Sequence, residues 1–139
     1  MTYRMIHIGL GSMGRDWCVN ALPPNIDDGL IEVVAAVDIN SAALPVAQEK
    51  LGLSADQCYT DLEKALAENP ADFCAIVVPP ARHEEVVDLA LAHDLHILSE
   101  KPIADTLAAS ARIADKVKRA GLKMGVTMSH RFDQDKTSF

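Results

Sequence analysis

Short apolar runs alternate along the chain with stretches of helical period. The runs are Met5–Ile8, Ile31–Val37, Phe73–Val78, His96–Leu98 and Lys123–Val126, with a further short one at Gln57–Tyr59. Several are rich in Ile and Val, as strands buried on both faces are. Between them lie predicted helices at Ser12–Ala21, roughly Ser41–Leu51, Asp61–Glu68, Arg82–Ala92 and Ala104–Ala120. In the last, Leu107, Ala111, Ala114 and Val117 recur at spacings of four, three and three and so share one face. Gly52 and Gly121 stand where C-caps belong, and Asp61 where an N-cap does. Pro45 either opens the second helix or kinks one that starts near Ser41. The stretch Ala21–Leu30, with Pro23, Pro24, Asn25 and Gly29, reads as a long surface loop. Strand–helix alternation implies right-handed crossovers and a parallel sheet covered on both faces. Six strands in this sequence predict a doubly wound α/β fold with strand order 3-2-1-4-5-6 and helices on both faces.

Composition narrows the partners. The 139 residues suit one domain, and 49% apolar with 24% charged residues excludes a disordered or fibrous chain. Thirteen Lys and Arg against twenty Asp and Glu give a net charge of −7, which argues against a nucleic-acid binder. A small anionic ligand stays open, because backbone amides bind phosphate without basic side chains. Cys18, Cys58 and Cys74 lie 40 and 16 residues apart, which suits neither a disulfide framework nor a zinc site; they read as buried thiols in a reducing compartment. None of the five histidines pairs at metal-ligand spacing, and His7 reads as a packed strand residue. No apolar run approaches the ~18 residues of a membrane span. The first run is broken by Gly9, Gly11 and Gly14, unlike a signal peptide, so a cytoplasmic location is expected.

The glycines of Gly9-Leu10-Gly11-Ser12-Met13-Gly14 follow the G-x-G-x-x-G pattern. The pattern alone is weak, and its setting strengthens it. It follows an apolar run, opens a helix, and precedes an acidic residue, Asp38, at the end of the next run. Asp38 is 24 positions after Gly14, near the ~20 of a dinucleotide fingerprint. Gly9 would permit the tight turn, Gly11 would let a pyrophosphate approach the backbone, and Gly14 would let helix and strand pack closely. Free amides of the turn, around Ser12 and Met13, would hold the anion. Asp38, with Ile39 beside it, would accept the adenosine ribose hydroxyls and repel a 2′-phosphate, so NAD is favoured over NADP. A purely structural glycine turn with an incidental Asp is the competing reading. A short-chain dehydrogenase would need a Tyr-x-x-x-Lys pair, and neither Tyr3 nor Tyr59 has one.

Two further segments end strands at the same sheet edge, where open α/β sheets bind ligands. One is Val77-Val78-Pro79-Pro80-Ala81-Arg82-His83; its prolines must end the strand, and His83 could simply pack or cap in the next helix. The other is Leu98-Ser99-Glu100-Lys101-Pro102. A Lys withdrawn from water there could donate a proton or polarise an oxygen, whereas a surface Glu–Lys ion pair is the commoner outcome.

Together these residues resemble the glucose–fructose oxidoreductase / inositol dehydrogenase family, Gfo/Idh/MocA. The resemblance runs from Met5 to about Phe132. It rests on Gly9–Gly14, Asp38, Pro79–His83 and above all His96-Ile97-Leu98-Ser99-Glu100-Lys101-Pro102. It implies a Rossmann-fold, NAD(P)-dependent oxidoreductase acting on sugars, inositols or related polyols. The implied catalytic residue is Lys101, beside the nicotinamide. Implied cofactor contacts are Gly9, Gly11, Ser12, Met13, Gly14, Asp38, Ile39, Pro79, Pro80, His83, Glu100 and Lys101. The resemblance also implies a cis bond before Pro102, which would direct the lysine. Pro79 stands where the family often has Ser or Thr, so a hydroxyl contact is lost. Ser129-His130-Arg131-Phe132 resembles a family Asn-x-Arg-Phe element, but without the Asn.

The resemblance further implies a nucleotide-binding domain over residues 1–126 and the start of a second, substrate-holding domain over 127–139. On that expectation hydride transfer is negligible without the second domain. A dinucleotide-binding module that senses redox state, or completes a site with a partner, is the alternative.

Overall fold

The computed structural model describes residues 1–128. Six parallel strands form one sheet: β1 (Tyr3–Ile8), β2 (Ile31–Val37), β3 (Cys58–Tyr59), β4 (Phe73–Ile76), β5 (His96–Ser99) and β6 (Met124–Val126). Their spatial order is β3-β2-β1-β4-β5-β6, as the alternation predicts. Helices are α1 (Ser12–Asp16), α2 (Leu22–Asp27), α3 (Pro45–Leu51), α4 (Leu62–Glu68), α5 (His83–Ala92) and α6 (Leu107–Ala120).

The period of two along β1 builds a core on each face. Ile6 and Ile8 join one cluster with Leu66 of α4, Val87 of α5 and Ile113 of α6. Met5 joins the other with Trp17, Leu22 of α2 and Val46 of α3. The register shifts between Met5 and Ile6, where Met5 faces Val33 and Ile6 faces Ala35. Val34 is therefore an extra residue, and Val34 and Ala35 turn to the same core.

Most predicted ends move by one to three residues. β4 stops at Ile76, two residues before the predicted end at Val78. Helix α6 begins at Leu107 rather than Ala104, because Thr106 is its N-cap and accepts from Ala109 N. Its predicted apolar face is a correction: of Leu107, Ala111, Ala114 and Val117 only Val117 is buried, and the face that packs on the sheet is Ala109, Ile113 and Val117. Asp61 caps α4 by accepting from Lys64 N, and Gly52 and Gly121 end their helices at φ +69° and +68°. Of the two readings of Pro45, the first holds: a 3-10 turn at Ser41–Ala43 comes first, and Pro45 opens α3.

The predicted loop at Ala21–Leu30 is a correction. The helix after the glycine turn widens into a π-turn over Trp17–Ala21 and continues as α2 to Asp27. Pro23 and Pro24 fall in the first turn of α2, where a missing N–H costs little. The side chain of Asn25 donates to the carbonyl of Ala21 at 2.8 Å. No helix among the described residues is long and apolar enough to cross a membrane.

Candidate functional site

Strands β1, β2, β4 and β5 all end at one edge of the sheet and deliver the three motifs there. The chain leaves β1 at Gly9, whose φ of +97° and approach to Val77 exclude a side chain: an added Cβ would lie 2.2 Å from the Val77 carbonyl oxygen. At Gly14 a Cβ would lie 2.0 Å from the carbonyl oxygen of Gly9, so helix and strand touch backbone to backbone. At Gly11 an added Cβ would meet nothing within 4 Å. The fold thus demands glycine at 9 and 14. At Gly11 it leaves open space above the backbone, which is where a pyrophosphate would approach.

Asp38 ends β2 facing this turn. One carboxylate oxygen accepts from Leu10 N at 2.7 Å and the other from Asn40 N at 2.8 Å. These bonds fix the side chain against the glycine turn, and each oxygen retains a lone pair for a further donor.

Two adjoining cavities cross the edge. The larger, about 1240 Å³, runs from Asp38, Ile39 and Thr60 past Gly9 and Gly11 to Pro79 and Arg82. The smaller, about 270 Å³, is lined by Gly11, Ser12, Met13, Val77, Val78, Pro79, Glu100 and Lys101. Gly11, Val77, Val78 and Pro79 border both, so one groove leads from Asp38 to Lys101. Its open floor at Gly11 and its acceptor at Asp38 fit an extended dinucleotide. Arg82, the one Lys or Arg among the described residues lining the larger cavity, is held bidentately by Glu85 at 2.8 and 3.2 Å.

Glu100 and Lys101 differ from both sequence readings. The Glu100 carboxylate accepts from Trp17 Nε1 at 2.9 Å and from Lys101 N at 3.1 Å. Among the described residues no ion pair joins Glu100 to Lys101. The Lys101 side chain is exposed rather than withdrawn from water. The Lys101–Pro102 bond is cis.

Three predicted contacts, His83, Pro80 and Gly14, line neither cavity. His83 is fully buried and lines neither cavity. Its Nε2 lies 2.9 Å from the Val78 carbonyl and its Nδ1 3.0 Å from that of Ile103. It therefore braces the segment after β4 against the segment after Pro102, closer to the local packing role than to a cofactor contact. Pro80 opens a 3-10 turn at Pro80–Arg82 and also lines neither cavity. Gly14 is buried under the turn, as its packing task requires.

Sequence reasoning missed Trp17 and the pair Val77 and Val78. Trp17 is the only tryptophan and lies three residues after Gly14, so its position on the helix leaving the turn was a usable signal. Burial raises the thiols of Cys18 and Cys74 to about 11 and about 12, which leaves both inert, and Cys58 is half-buried. Burial also drives the imidazole of His7 down to about 4, partly offset by its bond to the Gly14 carbonyl.

A model of the GFO/IDH/MocA oxidoreductase family, NAD-binding Rossmann fold, matches residues 3–128. An uncharacterised Sinorhizobium fredii protein, y4oX, is 59% identical over 138 residues, covering 99% of this chain and 38% of that one. An inositol 2-dehydrogenase of an Arthrobacter species is 31% identical over 135 residues, covering 96% and 39%. The crystal structure of scyllo-inositol dehydrogenase from Lactobacillus casei with bound NAD(H) and scyllo-inositol superposes with a TM-score of 0.82 at 25% identity. It covers 96% of this chain and 38% of that one. The WlbA dehydrogenase from Bordetella pertussis, at 22% identity and a TM-score of 0.86, shares the fold. The chain spans about two fifths of the length of these relatives. With the glycine turn, Asp38 and the Glu-Lys-Pro segment at one sheet edge, and the family model matched almost end to end, this chain belongs to the GFO/IDH/MocA oxidoreductase family as its NAD-binding Rossmann-fold domain.

Proposed function

We propose that this domain holds NAD for the oxidation or reduction of a hydroxyl on a polyol of the inositol or sugar class. The observation that carries the reading is the groove itself, continuous from Asp38 to Lys101, with open space above Gly11. Asp38 receives the adenosine ribose hydroxyls, and the exposed Ile39 offers the adenine an apolar rim. The turn at Gly11, Ser12 and Met13 receives the pyrophosphate, because first-turn amides lack helical acceptors. Pro79 and Met13 wall the far cavity against water. When bound there, the nicotinamide supplies hydride exchange with the carbon that carries the reacting hydroxyl. Lys101, exposed at that end, donates to the substrate oxygen and takes or returns its proton. Polyol chemistry is supported by the inositol 2-dehydrogenase relative. The groups that grip the polyol lie outside the groove described, in keeping with the short span of the match. Turnover therefore needs more than residues 1–128.

The preference for NAD over NADP follows from charge. A 2′-phosphate would meet the Asp38 carboxylate, and Glu85 already occupies Arg82. The test is the ratio of NADH to NADPH affinity in wild type and Asp38→Ser. Wild type should favour NADH by at least tenfold, and the variant should lose most of that preference. An unchanged ratio would mean that Asp38 does not meet the ribose; no binding of either nucleotide would end the proposal.

A further inference from the structure

Trp17 begins the π-turn after α1 and is only 8% exposed. Its indole N–H donates to one oxygen of Glu100 at 2.9 Å, while the other oxygen accepts from Lys101 N at 3.1 Å. N–H groups thus hold both carboxylate oxygens. No carboxylate among the described residues pairs with the Lys101 ammonium. Beneath the indole lies the imidazole of His7, stacked at 5.9 Å and 22° and bonded through Nε2 to the carbonyl of Gly14 at 3.3 Å. A line of contacts therefore leads from the glycine turn through His7 and Trp17 to Glu100, which lines the smaller cavity.

This arrangement answers a chemical problem set by the sequence. A carboxylate next to an ammonium in the chain tends to pair with it, and a paired ammonium is a weaker donor to anything else. The indole N–H competes for the same carboxylate from a rigid, buried base. We propose that Trp17 is a positioning residue: it holds Glu100 away from the neighbouring ammonium, so that Lys101 presents unpaired positive charge to the nicotinamide end of the groove. This rests on the NAD reading above. It differs from simple packing, because a phenyl ring would fill much of the same space without an N–H.

Charge gives the test a sign. Unpaired ammonium near the nicotinamide favours the neutral ring of NADH over the cationic ring of NAD+. The ratio of the two affinities cancels losses that both ligands share. Affinities of the 139-residue chain for NADH and NAD+ are measured by calorimetry in wild type, Trp17→Phe and Glu100→Ala. In Trp17→Phe, Glu100 is released to pair with Lys101, and the NADH preference should fall roughly fivefold, the effect of one charge at about 4 Å in water. In Glu100→Ala the carboxylate is gone, and the preference should rise by a similar factor.

The single tryptophan gives a second measurement, which stands even if Trp17→Phe does not fold. Its indole N–H resonance should exchange slowly with water in wild type and markedly faster in Glu100→Ala. Ratios that move together in the two variants, or stay put, would overturn the role of Trp17, as would an indole exchange rate that ignores the loss of Glu100. Failure of wild type to bind either nucleotide would instead overturn the NAD reading.

Discussion

The three glycines at positions 9, 11 and 14 carry different burdens, and substitution separates them. Gly11 faces open space with an ordinary extended backbone, so a large side chain there disturbs no neighbour in the protein. Gly14 has a carbonyl oxygen 2.0 Å from where its Cβ would be. Gly11→Trp should therefore abolish NADH binding while leaving thermal unfolding within a few degrees of wild type. Gly14→Ala should instead cost about 3 kcal/mol or more, in the range of overpacked sites, and lower the melting temperature sharply. Calorimetric binding and thermal melts of the two variants check both halves. The residue scale is also where the sequence was most legible. The packing tasks of Gly9 and Gly14 follow from spacing, because a close backbone approach admits no other residue, and spacing also places Asp38 beside the turn. The place of His83 did not follow, since nothing local tells a buried brace between two carbonyls from a ligand contact.

Elements were legible where periodicity was long and hidden where two rules competed. Helix Leu107–Ala120 is legible as an element but its buried face is not: Ala109, Ile113 and Val117 meet the core, while Leu107, Ala111 and Ala114 are exposed. Its start lies three residues after Ala104, because alanines at 104 and 108 carry little signal against the cap at Thr106. Removing that cap should show its weight: Thr106→Ala leaves Ala109 N without its acceptor and should cost about 1 kcal/mol, measured by urea unfolding. No change in stability would mean that the Thr106 hydroxyl does not cap the helix. The segment after the glycine turn failed for a different reason. Prolines 23 and 24 argue for a loop, but a π-turn brings them into a helical first turn, and the Asn25 side chain covers the Ala21 carbonyl. Composition does not reveal such a widened turn. Trp17 lies inside the predicted helix Ser12–Ala21, and its oversight has a different origin: its partner Glu100 is 83 residues away in the chain.

For the whole molecule, the two hydrophobic clusters meet the sheet on opposite faces, and His7 is the buried polar group between strand and helix. Its Nδ1 finds no partner among the described residues, and burial holds its pKa near 4 against an ordinary 6.5. The unfolded chain therefore binds a proton at His7 between pH 6.5 and 4 while the folded chain does not. Stability is complete above pH 6.5 and is lost as the pH falls towards 4, by up to about 3 kcal/mol from this group. Denaturant midpoints should decline over that window in wild type and clearly less in His7→Phe, which keeps a ring against Trp17. Equal declines in both would show that the loss comes from other groups. The strand order was legible because sequence order, short crossovers and handedness leave few alternatives.

The central claim is that the groove from Asp38 to Lys101 is the seat of NAD. A crystal structure of the chain soaked with NADH tests it most directly. The expected result is pyrophosphate density over Gly11, an adenosine ribose within hydrogen-bond distance of the Asp38 carboxylate, and a nicotinamide in the cavity beside Glu100 and Lys101. A groove that stays empty at saturating nucleotide, or a nucleotide bound elsewhere on the domain, would contradict it.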